Sequence, residues 1–159
     1  MSAKIKLLAM DVDGTLTDGK VFISGQGEVF KVFNVIDGYG INVLLRERGV
    51  IPVVLALRES DSVERRCKEI GISHIYQNVK DKRGFLCDLI KQLSIPIESV
   101  AYIGDDDNDL EVMRVAALVG CPADASARVL EIANFISEKK RGDGVVREFI
   151  EWMIAKEYI

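Results

Sequence analysis

Apolar residues in this chain gather into short unbroken runs, and between the runs they recur at helical spacing. Ile5, Leu7, Leu8, Ala9 and Met10 make the first run, which reads as a strand buried on both faces. Ile51–Leu57 and Val100–Ile103 repeat that pattern, His74–Tyr76 is a shorter strand, and Leu118–Gly120 and Phe135–Ile136 are weaker ones. Asp37 can cap a helix running to about Arg48, with Ile41, Leu44, Leu45 and Arg48 on one stripe. Asp61-Ser62-Val63-Glu64 is a capping-box-like start to a helix ending near Gly71. Further helices are predicted over Lys82–Leu93, broken by Ile95-Pro96, then over Asn108–Val115, near Ala127–Ile132 and over Gly144–Ala155. One segment breaks the alternation: Lys20–Ser24 and Val29–Asn34 read as a β-hairpin around Gly25-Gln26-Gly27. Strands alternating with helices predict an α/β fold, a doubly wound parallel sheet with helices on both faces. The expected organisation is one domain over residues 1–159, with the hairpin inserted at about 20–34.

Composition narrows the class without naming a chemistry. With 159 residues, 48% hydrophobic and 29% charged, the chain fits one ordinary globular domain with a sizeable core. A net charge of −4 provides no electrostatic footprint for nucleic acid. No apolar run approaches the ~20 residues of a membrane span, and no signal-peptide core is evident, so a cytoplasmic protein without membrane partners is expected. Cys67, Cys87 and Cys121 are odd in number and lack Cys-x-x-Cys spacing, which suits free, buried thiols. His74, in the short apolar stretch Ile72–Tyr76, reads as a packed strand-edge side chain rather than a zinc ligand.

The chemistry begins where the first strand ends. Asp11 and Asp13 stand at its carboxyl end, where open α/β sheets bind ligands. Desolvating two acids is costly unless positive charge compensates them. A divalent cation does this, leaving one acid as nucleophile and the other as proton donor, the arrangement of a phosphoryl-transfer site. A Ca²⁺ loop counted from Asp11 would place Thr15, Leu16 and Phe22 at its later positions, which excludes it. A plain Asp13-Gly14 turn remains the competing reading of that motif alone.

Gly104-Asp105-Asp106-Asp107-Asn108-Asp109 repeats the logic after another strand, with no neighbouring Lys or Arg in sequence to neutralise it. A helix dipole accounts for one or two such acids, and a cation accounts for the cluster better. Mg²⁺ suits a hard oxygen site that also takes phosphate. Lys82 opens a helix against its dipole, which points to an electrostatic clamp on phosphate. Lys80 is a substitute for that role and Arg83 a weaker one. Arg58, directly after a strand, can grip a phosphate or carboxylate bidentately.

Asp11-x-Asp13-Gly14-Thr15, Lys82 and Gly104-Asp105-Asp106-x-x-Asp109 together resemble the haloacid dehalogenase superfamily. Phe33-Asn34-Val35-Ile36-Asp37-Gly38-Tyr39-Gly40, Ile75-Tyr76-Gln77 and Gly142–Glu148 narrow the resemblance to the small capless 3-deoxy-D-manno-octulosonate 8-phosphate phosphatases, over about Lys6–Phe149. The resemblance implies that Asp11 attacks phosphorus and becomes an aspartyl-phosphate. Asp13 would protonate the leaving sugar oxygen and then activate water. Mg²⁺ would be held by the Asp11 carboxylate, the Asp13 carbonyl and Asp105, with Asp106 and Asp109 in support, while Lys82 offsets phosphate charge. Leu57, Arg58, Asp37 and Arg141 would face a phosphorylated sugar acid. Relatives of this kind are typically homotetramers in which the hairpin replaces a cap and a neighbouring subunit helps close the site. Val21, Ile23, Val29 and Phe30 give the hairpin more apolar surface than it can bury alone, which agrees with assembly.

The chain departs from that pattern at identifiable positions. Ala56-Leu57-Arg58 stands where Thr or Ser, Gly and Arg are usual, so a hydroxyl that contacts the phosphoryl group is missing. Loss of one such donor is worth ~3–4 kcal/mol, or about 10²–10³ in rate. Ile36 stands where Arg is favoured, and Arg141-Gly142-Asp143-Gly144 where many relatives carry Gly-Gly-Arg-Gly. The expected function is therefore a Mg²⁺-dependent phosphomonoesterase acting on a phosphorylated sugar acid. The alternative is a catalytically weak or silent module for binding or assembly, associated with sugar-acid activation.

Overall fold

The computed structural model describes residues 4–159. Among these, six parallel strands form one sheet in the order β5-β4-β1-β6-β7-β8. They are β1 (Leu7–Met10), β4 (Ile51–Leu55), β5 (His74–Tyr76), β6 (Val100–Ile103), β7 (Leu118–Cys121) and β8 (Phe135–Ile136). Side chains of β1 alternate across the sheet as a strand requires. Leu8 and Met10 enter one core with Ile41 and Leu45, which follow α1 (Val35–Tyr39), and with α2 (Asp61–Glu69) and α6 (Val145–Ala155). Leu7 and Ala9 enter the other with α3 (Lys82–Gln92), α4 (Leu110–Met113) and α5 (Ala127–Ile132). That two-sided burial explains why β1 and β6 read as unbroken apolar runs.

From β1 the chain winds outward through β4 and β5, then crosses back to continue from β6 to β8. Strand order therefore reverses at β1, where Met10 lies opposite Val54 on one side and Ile103 on the other. The loops that follow β1 and β6 meet at the carboxyl ends of the strands, where open sheets of this kind bind ligands.

The hairpin, β2 (Phe22–Ser24) with β3 (Gly27–Phe30), pairs only with itself. It is shorter than its apolar pattern predicts, because the pairing is irregular at Phe22/Ile23 and residues 31–34 leave the strand. Phe22 and Phe30 stack with ring centroids 4.3 Å apart, and Ile23 remains 68% exposed.

Three local expectations change. The first helix is capped by Asn34, whose side chain accepts the Ile36 N–H at 3.0 Å, so Asp37 lies inside the helix rather than ahead of it. After Tyr39 the helix widens into a π-helical stretch, Gly40–Leu45. Gly40 permits close packing there, since a Cβ would come 3.0 Å from Arg147 Cδ and 3.2 Å from Ile150 Cδ1. Residues Asp107–Asp109 form a 3₁₀ turn before the short α4, in place of one longer helix. The three cysteines are free, with Cys67 and Cys121 buried but Cys87 only half-buried. His74 sits on edge strand β5, 3.1 Å from the Tyr76 hydroxyl. No helix of the described residues is long and apolar enough to cross a membrane.

Candidate active site

The loop after β1 is wound around one carbonyl. Val12 O accepts the N–H groups of Thr15, Leu16 and Thr17 at 3.0–3.1 Å, while Asp11 N extends the sheet by bonding Ile103 O at 3.0 Å. Gly14 makes the turn at φ +93°, and a Cβ there would lie 2.2 Å from Asp105 Oδ2. Both its conformation and its lack of a side chain are needed to let the two acidic loops meet. Gly104 serves the second loop similarly, since a Cβ would fall 2.5 Å from Asp109 Oδ2.

Lys82, at the first turn of α3, joins the loops. Its ammonium donates to Asp11 Oδ1 and to Asp109 Oδ1, each at 2.7 Å, and its side chain is 3% exposed. Asp109 also accepts the Tyr102 hydroxyl at 2.6 Å and the Asp105 N–H at 3.1 Å. Thr15 Oγ1 donates to Asp105 Oδ1 at 3.2 Å. The acids that lack a cationic neighbour in sequence acquire several in space: Lys82 at Asp109, Arg128 at Asp107 and Arg141 at Asp105.

One buried ammonium does not balance three buried carboxylates. Burial pushes the Asp11 carboxyl well above its usual range, the Asp109 charge adds to this, and Lys82 only partly opposes it. Burial likewise lifts Asp105 to about 6, against the lowering effects of the Asp11 side chain, Arg141 and Thr15. Burial works against the Lys82 charge, but Asp11 and Asp109 outweigh it and hold the ammonium protonated. Such a surplus of buried negative charge fits a divalent cation.

Carboxylate oxygens of Asp11, Asp105 and Asp109 lie within 4.8 Å of one another, an all-oxygen donor set of the kind Mg²⁺ prefers. Within that trio Asp109 is already engaged on both oxygens by Lys82, Tyr102 and the Asp105 N–H. Asp109 is thus better suited to orient Lys82 and the Asp105 loop than to bind an ion directly.

Comparison with known proteins bears on the same residues. The haloacid dehalogenase-like hydrolase profile matches residues 63–149. The 3-deoxy-D-manno-octulosonate 8-phosphate phosphatase KdsC of Escherichia coli (strain K12) is 38% identical over 150 residues, covering 94% of this chain and 79% of that protein. The chain belongs to the haloacid dehalogenase-like hydrolases. The Moraxella catarrhalis 3-deoxy-D-manno-octulosonate 8-phosphate phosphatase, crystallised with magnesium ion, phosphate ion and KDO, superposes with a TM-score of 0.91. It is 40% identical, over 95% of this chain and 86% of that one. A cobalt-bound form of the Haemophilus influenzae deoxy-D-mannose-octulosonate 8-phosphate phosphatase gives a TM-score of 0.91 at 33% identity, over 96% and 88% of the two chains.

Within this haloacid dehalogenase-like hydrolase the remaining candidates divide into four groups. Asp13 faces the hairpin side, where Lys31 Nζ lies 2.6 Å from its Oδ1 and 3.1 Å from Glu28 Oε2. The Lys31 side chain is 2% exposed, and Glu28 also accepts the Ser60 hydroxyl, so the hairpin is tied to the segment after β4. Gln77 strengthens that tie by accepting the Ser60 N–H at 2.8 Å and donating to Ser60 O at 3.1 Å. Leu57 and Arg58 stand open at the rim, with Arg58 Nη2 3.8 Å from Glu28 Oε2.

Asp37 and Asp106 take structural posts. Asp37 is buried and accepts the Arg147 N–H at 2.8 Å, capping α6 across the fold, and its Oδ2 has no partner. Asp106 is exposed and accepts the Asp107 N–H at 2.8 Å, capping the 3₁₀ turn. Arg141 joins the acid cluster through Asp105. Lys31, Glu28 and Tyr102 are absent from the sequence-derived set. Tyr102 carries the one available signal, since a tyrosine in a fully buried strand needs a partner for its hydroxyl.

Proposed function

We propose that this protein is a Mg²⁺-dependent phosphomonoesterase acting on a phosphorylated sugar acid of the 3-deoxy-D-manno-octulosonate 8-phosphate type. The observation that carries the reading is the buried Lys82 bridge between Asp11 and Asp109, set beside Asp105 at the carboxyl ends of β1 and β6. The similarity to phosphatases named for that substrate supports the substrate class.

Asp11 acts as the nucleophile: its carboxylate oxygen forms a bond to phosphorus as the bond to the sugar oxygen breaks. Asp13 donates a proton to that departing oxygen and afterwards takes one from the water that attacks the aspartyl-phosphate, releasing phosphate and restoring Asp11. Lys82 neutralises charge on Asp11 and the transferring group while remaining anchored on Asp109. Bound through Asp11, Asp105 and the Asp13 carbonyl, Mg²⁺ would offset the charge of the phosphoryl oxygens. Leu57 and Arg58 border the substrate from the rim.

Phosphate release from a panel of phosphorylated sugar acids and simple sugar phosphates tests this reading. Release that requires Mg²⁺, stops with chelator and falls by about 10³-fold or more in Asp11→Asn is the expected result. Silence of a folded, cation-binding protein across the panel would favour the second reading, a binding or assembly module. Ala56, a buried methyl where a phosphate-binding hydroxyl is usual, is the residue that motivates that alternative.

Assembly into a homotetramer, with a neighbour completing the site, is supported by the exposed apolar residues Ile23, Val29, Phe30, Val32 and Val35 on and beside the hairpin. Light scattering should give a tetramer mass for the wild type and a smaller species for Ile23→Lys with Val29→Lys. The buried free thiols Cys67 and Cys121 suit a reducing, cytoplasmic setting.

A further inference from the structure

Two cations reach the acid cluster, and they are held very differently. Lys82 makes two short hydrogen bonds and is 3% exposed, so it is fixed. Arg141 brings Nε to 3.1 Å from Asp105 Oδ2 and Nη2 to 3.5 Å from Asp105 O, and its side chain is 30% exposed. Arg141 Nε is buried yet lacks a well-directed hydrogen bond, so the contact is an ion pair without good donor geometry.

The backbone beneath Arg141 is secured. Arg141 N donates to Asp124 Oδ1 at 2.9 Å, and Gly142 N reaches Thr15 O at 3.4 Å. Gly142 is itself pressed against the Asp11 loop at φ +74°, where a Cβ would lie 2.5 Å from Asp18 N. A fixed backbone with a loosely held side chain allows the guanidinium to change partners without moving the loop.

Asp105 is also one of the three carboxylates grouped for a cation. A guanidinium keeps its charge at any working pH, so Arg141 and a divalent cation on the same carboxylate repel one another. Once released, the planar fork of Arg141 is matched to two oxygens of a phosphate. Building on the phosphatase reading above, we infer that Arg141 is an exchangeable counter-ion. It neutralises Asp105 in the cation-free protein and transfers to the phosphate oxygens when a divalent cation takes Asp105.

This assigns Arg141 effects of opposite sign on two ligands. Calorimetric titration of the intact protein with Mg²⁺, without substrate, should show Arg141→Ala binding the cation about 3- to 10-fold more tightly than wild type. Titration with inorganic phosphate at saturating Mg²⁺ should show the same variant binding about 10-fold more weakly. Arg141→Lys keeps the charge without the fork. It should retain wild-type cation affinity and recover only part of the phosphate affinity, with circular dichroism confirming that both variants are folded.

Unchanged or weakened Mg²⁺ binding in Arg141→Ala overturns the exchange, because a merely structural arginine would weaken both ligands together. Arg141→Lys behaving like Arg141→Ala toward Mg²⁺ also overturns it. A wild-type protein that binds no Mg²⁺ removes the phosphatase reading as well, and so separates the two failures.

Discussion

The Lys31 ammonium, at the foot of the hairpin, lies 2.6 Å from Asp13 Oδ1 and is almost wholly enclosed. The same nitrogen reaches Glu28 at 3.1 Å, so the proposed acid/base is held from outside the sheet. Displacing the hairpin therefore displaces Asp13. Lys31→Met should lower kcat/KM by about 10- to 100-fold through misplacement of Asp13. Steady-state kinetics would check this, with Lys31→Arg recovering part of the loss. An unaltered rate in Lys31→Met would show that Asp13 keeps its position without the pair.

Lys82 bears on stability as well as on the proposed chemistry. Its removal leaves Asp11 and Asp109 buried beside Asp105 without their shared ammonium. Lys82→Met should cost about 3–5 kcal/mol of stability in cation-free buffer. Millimolar Mg²⁺ should restore part of that, because it supplies positive charge to the same acids. Urea denaturation with and without Mg²⁺ measures both effects.

Asp37 makes stability depend on pH. Burial lifts its carboxyl from 3.8 to about 6, against the opposing pull of the Arg147 and Val146 N–H groups and the charges of Lys139 and Arg147. Between those values the folded protein keeps a proton that the unfolded chain has released. The contribution is therefore complete below about pH 4 and is lost as pH rises through about 6, by an amount near 3 kcal/mol. Asp37→Asn preserves an acceptor for Arg147 N–H and removes the charge. The variant should be more stable than wild type at about pH 8, and the margin should vanish at about pH 4. A margin that did not vary between those pH values would assign the effect to packing.

Ala56→Thr restores a hydroxyl at a position whose backbone is already fixed. Ala56 N–H bonds Tyr76 O at 2.9 Å, and its carbonyl accepts the Val79 N–H at 3.0 Å. The substitution should raise kcat by about 10- to 100-fold with little change in KM. A lower melting temperature without a rate gain would identify bulk at this buried site, rather than a missing donor, as the constraint.

How much of this was visible beforehand depended on the range of the interaction. Asp11 and Asp105 were legible because each ends an apolar run, and a buried parallel strand presents its carboxyl end to the ligand crevice. Lys82 was legible from its unfavourable place at a helix start. Asp109 could be named but not given a post, since its role depends on Tyr102 and Lys82 converging from β6 and α3. Lys31 resembles any solvated hairpin lysine until β3 folds back over Asp13. Asp37 carries a helix-cap signal, but the helix it caps is α6, which only the tertiary fold brings near.

The central place of β1 has a consequence for the order in which the protein is made. Leu7 lies opposite Ile51 on one side and Val100 on the other, so the strand bearing Asp11 is synthesised long before its second partner. At roughly 5–20 residues per second, Asp11 waits about 5–20 s for Asp105 to follow it from the ribosome. Until then the nascent chain holds its acids at the end of a strand that can pair with β4 but lacks β6. Lys82 precedes β6 in the chain, so the surroundings of Asp11 can be complete only once Tyr102, Asp105 and Asp109 have also been made. The growing chain thus has no phosphatase to restrain: the reaction becomes available only when the fold does.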